Sequence, residues 1–322
     1  MKTIITDCEY PNCNPEKAIF DAAGIDLEVY QYREEEDLLT IVKDADALIT
    51  QYSNVSRRVL ESAKNCKIVV KYGIGVDNID LQAATDNGIY VCNIPDYGVD
   101  EVSNHSITHM LNLARKLHIS NADMKKGIWD YKRIVPIKRF SDSTVGILGF
   151  GRMGHAVAYK LRNFGVKLLA CDIRKDMEIA KYFNVSYTDF DTLFRESDYI
   201  AVHCEYNETT HKLVGERAFN LMKPTAFIIN TARGPIIDEQ ALIKALLDKR
   251  IAGAGLDVFE QEPIDPNNPL LKFDNVILSG HTSWYSEESQ LNLQTMPAEL
   301  IVSVLKGNPP YNVRNPKVLG KL

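Results

Sequence analysis

No apolar run in the sequence approaches the roughly 20 residues that a membrane-spanning helix needs. There is no long basic run either: 37 Lys and Arg are outnumbered by 43 Asp and Glu, giving a net charge of −6 over 322 residues. A phosphate backbone demands a concentrated positive face, so nucleic acid is not expected as a partner. The opening MKTIITDCEY meets an acid after six residues and has no small-residue cleavage site. It does not read as a secretory signal, and the expected location is cytoplasmic. Cysteine is sparse, with six copies scattered along the chain, several in apolar runs such as IYVCNI (Cys92) and LLACD (Cys171). They read as reduced and buried. Cys8 and Cys13 lie five apart but lack a second ligand pair, so they do not make a zinc site. Internal repeats and low-complexity segments are missing too.

What is present is alternation. Short β-branched apolar runs at residues 3–6, 27–30, Ala47–Thr50, Ile68–Lys71 and Tyr90–Cys92 alternate with helical patterns such as SRRVLESAK at 56–64. This order implies a parallel sheet covered by helices on both faces. Residues 101–119 (EVSNHSITHMLNLARKLHI) read as one long helix, a hinge element between domains and a candidate subunit interface. A second series follows at 145–148, 167–170, Tyr199–Val202, 227–229, 254–257 and Val276–Leu278. The stretch after Tyr285 is helical again, with Pro297 a candidate kink. This last helix is expected to cross back onto the first domain, making that domain discontinuous and the second one an insertion.

The sharpest local signal is TVGILGFGRMG at 144–154. An apolar strand runs into Gly149, Gly151 and Gly154, and a helical segment follows. In a dinucleotide site the first glycine makes the tight turn, the second lets the backbone approach the pyrophosphate, and the third lets helix and strand pack closely. The helix N-terminus then offers N–H groups to the phosphates. Asp172 ends the next strand, 18 residues past Gly154. Its carboxylate can accept from both ribose hydroxyls and would repel a 2′-phosphate, so NAD is expected over NADP.

A nicotinamide passes hydride to a carbonyl. A carbonyl substrate that also bore a carboxylate would need a cation for the carboxylate, a polarising group for the carbonyl and an acid for the developing alkoxide. In FIINTARGP (227–235) a strand delivers Arg233, whose fork can bind a carboxylate through two hydrogen bonds. GAGLDVFEQEP (253–263) ends a strand at Asp257 and continues into Glu260 and Glu262, while LSGHTSW (278–284) carries His281 just past another strand. A carboxylate beside that imidazole would favour its charged form and fix its orientation. The sequence leaves open whether Glu260 or Glu262 makes the contact. His105 and His109, four apart on the long helix, lack a third ligand and read as packed or solvated residues.

The order of these motifs, with KYGIGVDNIDL (71–81), VCNIPDYGVDEVSNH (91–105), INTARGPIIDEQAL (229–242) and GHTSWYSEES (280–289), resembles the D-isomer-specific 2-hydroxyacid dehydrogenase family over nearly the whole chain. The resemblance implies a two-domain α/β fold, with an NAD-binding Rossmann doubly wound sheet (101–286) inserted into a flavodoxin-like parallel α/β substrate domain (1–100 plus 287–322). It implies Arg233, Glu262 and His281 as the catalytic set, with Glu262 keeping His281 protonated. It places Ile74, Arg152, Met153, Asp172, Cys204, Thr231, Ala232, Arg233, Asp257 and His281 around the NAD with the three loop glycines. Backbone amides of Gly73, Ile74 and Gly75 would meet the substrate carboxylate, with Tyr52 and Trp284 shaping the pocket. The family is typically a homodimer, and the keto acid is expected to enter between the domains.

Some features narrow the reading. Ala47–Thr50 lacks the arginine that phosphoglycerate-using relatives tend to carry, weighing against a 3-phosphoglycerate dehydrogenase. The chain stops shortly after the last helix, without room for a serine-sensing domain. Residues 203–210 (HCEYNETT) depart from the usual H-x-P-L-T-P-E-T. Trp284, three after His281, resembles the C-terminal-binding-protein branch, which keeps an NAD-sensing corepressor with vestigial catalysis as an alternative. The glutamate before Pro263 weighs against formate dehydrogenase. The expected reaction is NAD-dependent interconversion of a 2-keto acid and its D-2-hydroxy acid, with hydroxypyruvate or glyoxylate as first substrates to consider.

Overall fold

A computed structural model of the chain describes residues 1–320. Contacts within the chain divide it into two compact units: Met1–Gly98 together with the chain from Tyr285 onward, and Val99–Trp284.

In the first unit, β1 (Lys2–Ile5), β2 (Asp26–Val29), β3 (Ala47–Thr50), β4 (Ile68–Lys71) and β5 (Tyr90–Cys92) form an all-parallel sheet in the order β2-β1-β3-β4-β5. This is the flavodoxin-like order, whose direction reverses beside the first strand. Every residue of β3 and β4 is buried, as expected for strands covered on both faces. Ile4, Leu48, Val69 and Val91 line one face with Leu38, Val59 and Leu60. The helix Glu287–Leu305 belongs to this unit, where the Gln294 amide donates to the Asn12 carbonyl (2.8 Å) and to the Glu16 carboxylate (3.0 Å). Ser286 and Ser289 close a reciprocal cap at its start. The helix runs on through Pro297, which is buried, and is not broken there.

In the second unit, β6 (Thr144–Leu148), β7 (Lys167–Cys171), β8 (Val185–Tyr187), β9 (Tyr199–Val202), β10 (Phe227–Asn230), β11 (Gly253–Leu256) and β12 (Val276–Leu278) form a seven-stranded parallel sheet. Its order, β12-β11-β10-β9-β6-β7-β8, is that of a doubly wound Rossmann sheet with one further strand. Successive residues feed opposite faces: Tyr199 and Ala201 join one core with Ile147 and Ile229, while Ile200 and Val202 join the other with Ile228 and Leu256. Because all seven strands are parallel, the loops after β6, β7, β9, β10, β11 and β12 emerge at one edge.

Two features depart from the sequence reading. β8 is a three-residue strand that short-range periodicity does not reveal. The long helix is two: Val99–Arg115 and Leu117–Lys125 are separated by Lys116 at φ 50°. The Asn112 side chain accepts the His118 N–H at 2.9 Å and so supplies a partner outside the regular helical ladder. Among the described residues no helix is long and apolar enough to cross a membrane.

Candidate active site

The loop after β6 is shaped by close approach. Gly149 has φ 91°, and a Cβ there would stand 2.3 Å from the Cys204 backbone nitrogen. A Cβ on Gly154 would meet the Gly149 carbonyl oxygen at 2.6 Å, so this helix can sit against its strand only without a side chain. Gly151 differs: nothing lies within 4 Å of where its Cβ would be. It caps the helix Arg152–Leu161 and has no side chain of its own to meet a first-turn N–H. Arg152 is exposed and Met153 half-buried at that open end. Asp172, just past β7, accepts from Phe150 N–H (2.6 Å) and Arg174 N–H (2.8 Å), which ties the acid to the glycine loop. Cys204 is half-buried beside Gly149, and burial pushes its thiol up to about 12. The buried hydroxyl of Thr231, past β10, has no hydrogen-bond partner. An open glycine backbone, an uncapped helix start, an acid one strand over and an orphaned hydroxyl fit a dinucleotide.

A second cluster builds on β10, β11 and β12. The Asn230 side chain accepts from Ala232 N–H (3.0 Å) and donates to the Arg233 carbonyl (2.9 Å), stapling the turn that presents Arg233. A Cβ on the next residue, Gly234, would stand 1.9 Å from the Phe259 carbonyl. That contact brings the Arg233 turn against the segment carrying Glu262. The Glu262 carboxylate accepts from Phe259 N–H (3.0 Å) and bonds His281 Nδ1 at 2.7 Å. Burial pushes the Glu262 carboxyl up, but the His281 hydrogen bond and charge, the Phe259 N–H and the Arg233 guanidinium outweigh it, and the net shift is downward. Glu260 is engaged elsewhere, with Lys212 (3.2 Å) and the Glu239 N–H (3.0 Å). The choice left open by sequence therefore falls on Glu262.

Beneath this pair lies a network that periodicity did not identify. His281 sits at φ 55°, a region that costs a non-glycine residue energy. Asp257 holds it there. Its carbonyl accepts the His281 N–H (2.7 Å), and its carboxylate accepts Thr282 N–H (2.9 Å), Ser283 N–H (3.0 Å) and the Ser279 hydroxyl (2.6 Å). Burial raises the Asp257 carboxyl, and these donors more than offset it, so it lies below the usual carboxylate range. Asp257 is wholly buried, so its place is under the loop, with no open face for a ligand. Ser279 also meets His105 Nε2 (2.9 Å) and His109 Nε2 (3.1 Å). With its own proton on Asp257, the hydroxyl accepts from both imidazoles, which fills its capacity. Burial, with His105 beside it, holds His109 down at about 4. The i,i+4 histidines thus share a face, and through Ser279 they brace the loop that carries His281.

The remaining expected positions lie mostly in the first unit. Gly73 has φ 132°, its carbonyl accepts the Ile94 N–H (2.9 Å), and the Ile74 carbonyl accepts the Asn93 amide (2.6 Å). Gly75 follows in the same loop, half-buried like Ile74. Tyr52 is 42% exposed, with the Arg33 guanidinium 5.0 Å and the Lys71 ammonium 5.4 Å from its ring centre. Buried Asp7 organises this loop by accepting from the N–H groups of Gln51 (3.0 Å), Tyr52 (2.7 Å) and Ser53 (3.2 Å). Trp284, half-buried, closes the second unit.

A dinucleotide loop on a doubly wound sheet, with an imidazole–carboxylate pair and a guanidinium at the same edge, defines an oxidoreductase. Residues 107–283, more than half of the chain, match the family described as D-isomer specific 2-hydroxyacid dehydrogenase, NAD binding domain, and the chain belongs to that family; NAD is its cofactor. It is 38% identical to a glyoxylate reductase of Thermofilum pendens over 88% of this chain and 85% of that one. It is also 38% identical to a D-3-phosphoglycerate dehydrogenase of Archaeoglobus fulgidus, over 91% of this chain but only 55% of that one. Among solved structures, D-lactate dehydrogenase from Aquifex aeolicus, complexed with NAD and lactic acid, superposes with a TM-score of 0.86 at 27% identity, covering 95% of this chain and 96% of that one.

Proposed function

We propose that this protein reduces a small 2-keto acid, glyoxylate or hydroxypyruvate first among them, to the D-2-hydroxy acid. The observation that carries the reading is the 2.7 Å bond between Glu262 and His281, with the Arg233 guanidinium near enough to act on the same carboxylate. NADH supplies the hydride when bound. Arg233 takes the substrate carboxylate as a two-pronged donor, and its charge polarises the adjoining carbonyl. The amides of Gly73, Ile74 and Gly75 are further donors to that carboxylate. Glu262 bonds Nδ1 of His281 and orients the imidazole, which gives its proton to the substrate oxygen, and Asp257 holds the loop so that this proton is aimed. Tyr52 and Trp284 shape the pocket.

In this reading the Val99–Trp284 unit binds NAD, through Gly149, Gly151, Arg152, Met153, Gly154, Asp172, Cys204, Thr231 and Ala232, with Ile74 against the nicotinamide. The unit made of Met1–Gly98 and the chain from Tyr285 onward supplies the other keto-acid contacts. Trp129 is 87% exposed and Tyr131 73%, and Leu117, Met124 and Val135 are exposed as well. A second copy covering these apolar side chains would make the protein a homodimer, working in the cytoplasm. The cations flanking Tyr52 favour a second reading, in which Arg33 and Lys71 recognise the phosphate of 3-phosphohydroxypyruvate.

Following NADH absorbance against glyoxylate, hydroxypyruvate, pyruvate, branched keto acids and 3-phosphohydroxypyruvate tests both. Oxidation with the small unphosphorylated acids is the expected result. Preference for the phosphorylated acid selects the second reading, and no oxidation with any of them removes the proposal.

A further inference from the structure

The reaction leaves a pair of thiols unused. Cys8 and Cys13 lie on the segment after β1 with their sulfurs 3.2 Å apart, both free. A disulfide spans about 2.05 Å, so an approach of roughly 1 Å closes the bond. Cys8 is buried and Cys13 half-buried, and both line a surface cavity of about 330 Å³ with Asn12, Lys17 and Gln31. The thiols are chemically unequal. The contact between the two sulfurs, with the Gln31 amide 3.7 Å from that of Cys8, outweighs burial and brings the Cys8 thiol down to about 7. The same contact pushes Cys13 far up, with burial adding to it. The Gln31 amide lies against the Cys8 sulfur and carbonyl, which favours Cys8 as the attacking cysteine and Cys13 as the resolving one.

We propose that Cys8 and Cys13 form a modification site for a hydroperoxide, which converts the pair into an intramolecular disulfide. The Cys8 thiolate attacks one peroxide oxygen, the O–O bond breaks, and the departing oxygen takes a proton to leave as alcohol, or as water from hydrogen peroxide. Cys8 is then a sulfenic acid. Cys13 attacks its sulfur, the S–O bond breaks, and the Cys13 proton leaves with that oxygen as water. Two thiols are oxidised to one disulfide while one peroxide is reduced.

The segment is wired to its neighbours. Glu9 N–H donates to the Gln51 side chain (2.8 Å), and the Gln31 amide donates to the Cys8 carbonyl (2.8 Å). The Tyr10 ring packs edge-on against Tyr72, 5.2 Å between centres. Gln51 and Tyr72 are the chain neighbours of Tyr52 and Gly73, so drawing the two sulfurs together pulls on the loops assigned above to the keto acid and weakens its binding. This last clause rests on the proposed function; the thiol chemistry does not.

The test is to treat the full-length protein with hydrogen peroxide, alkylate it and map its peptides, then measure KM for the reduced keto acid and for NADH. The Cys8–Cys13 peptide should resist alkylation and lose two hydrogens, while Cys66 and Cys92, which burial pushes up to about 12, stay reduced. Keto-acid KM should rise several-fold with NADH KM unchanged, and dithiothreitol should reverse both changes. In Cys13→Ser a sulfenic acid should persist on Cys8 and be captured by dimedone. Free alkylation of Cys8 after peroxide, or a disulfide that leaves keto-acid KM unchanged, overturns the proposal. The peptide map reads the thiols whether or not a keto acid is turned over, so its failure is distinct from failure of the proposed reaction.

Discussion

Each of the two sheets carries a buried aspartate at the end of a strand, and each aspartate folds a loop around its carboxylate. Asp7, after β1, gathers the N–H groups of residues 51–53, and Asp257, after β11, gathers those of Thr282 and Ser283 with the Ser279 hydroxyl. The device is the same, but the cargo differs. The first loop holds up Tyr52 between two cations, a matter of shape and charge. The second holds up His281 in a strained backbone conformation against Glu262, a matter of proton delivery. A buried carboxylate that accepts several backbone N–H groups is a rigid post, and what the post supports decides its function.

The comparison can be broken most forcefully at the proton. His281→Asn should lower turnover by about 10²–10⁴-fold with NADH affinity nearly unchanged, read by steady-state kinetics and NADH fluorescence titration. Arg233→Gln should cost roughly 10–100-fold in kcat/KM for the keto acid, the range of a lost charge-assisted pair. The two posts should then part company. Asp257→Asn should reduce kcat by about tenfold, whereas Asp7→Asn should act on keto-acid KM and spare kcat, each losing about 1–3 kcal/mol of stability in a denaturant melt. If both variants changed the same kinetic constant, the distinction drawn between the loops would fail. The smallest effect belongs to the cofactor: Asp172→Asn should raise kcat/KM for NADPH by about fivefold, the scale of one exposed charge pair.

Acid should weaken both loops. Asp7, Asp257 and Glu262 all lie lower in the folded chain than their ordinary values. For a depressed carboxyl the added stability is complete above the unfolded value, about pH 4, and is lost as pH falls through the folded value. Stability followed by circular dichroism should therefore begin to fall below about pH 6.5, where the unfolded chain protonates the imidazole that burial holds down at about 4 in His109. It should fall more steeply below about pH 4, as these carboxyls are protonated.

Much of this was legible in the residues, for physical reasons. Parallel strands buried on both faces read as apolar runs, and eleven strands stand within about two residues of where those runs lie. The exception, Val185–Tyr187, has an exposed serine at its centre and one buried side chain, so it lacks the apolar run that marks the equally short Tyr90–Cys92 and Val276–Leu278. The break at Lys116 was hidden because the local pattern stays helical on both sides of it, while the Asn112 side chain meets the His118 N–H across it. Glu262 could not be told from Glu260 by spacing, because the choice is made by Lys212 and Glu239 from elsewhere in the chain. The roles of Ser279, His105 and His109 depend on residues about 170 positions apart meeting at one hydroxyl. The i,i+4 histidine spacing was the one available sign, and it marked a shared face without naming its partner.

The central claim is that Glu262 holds the His281 imidazole in place to hand its proton to the keto acid. The most direct test is kcat for keto-acid reduction in wild type and Glu262→Gln, with NADH affinity as the control. Losing the carboxylate that orients the imidazole should lower kcat by about 10²-fold, within the range of general-acid help, and leave NADH affinity nearly unchanged. A kcat equal to that of wild type would contradict the account.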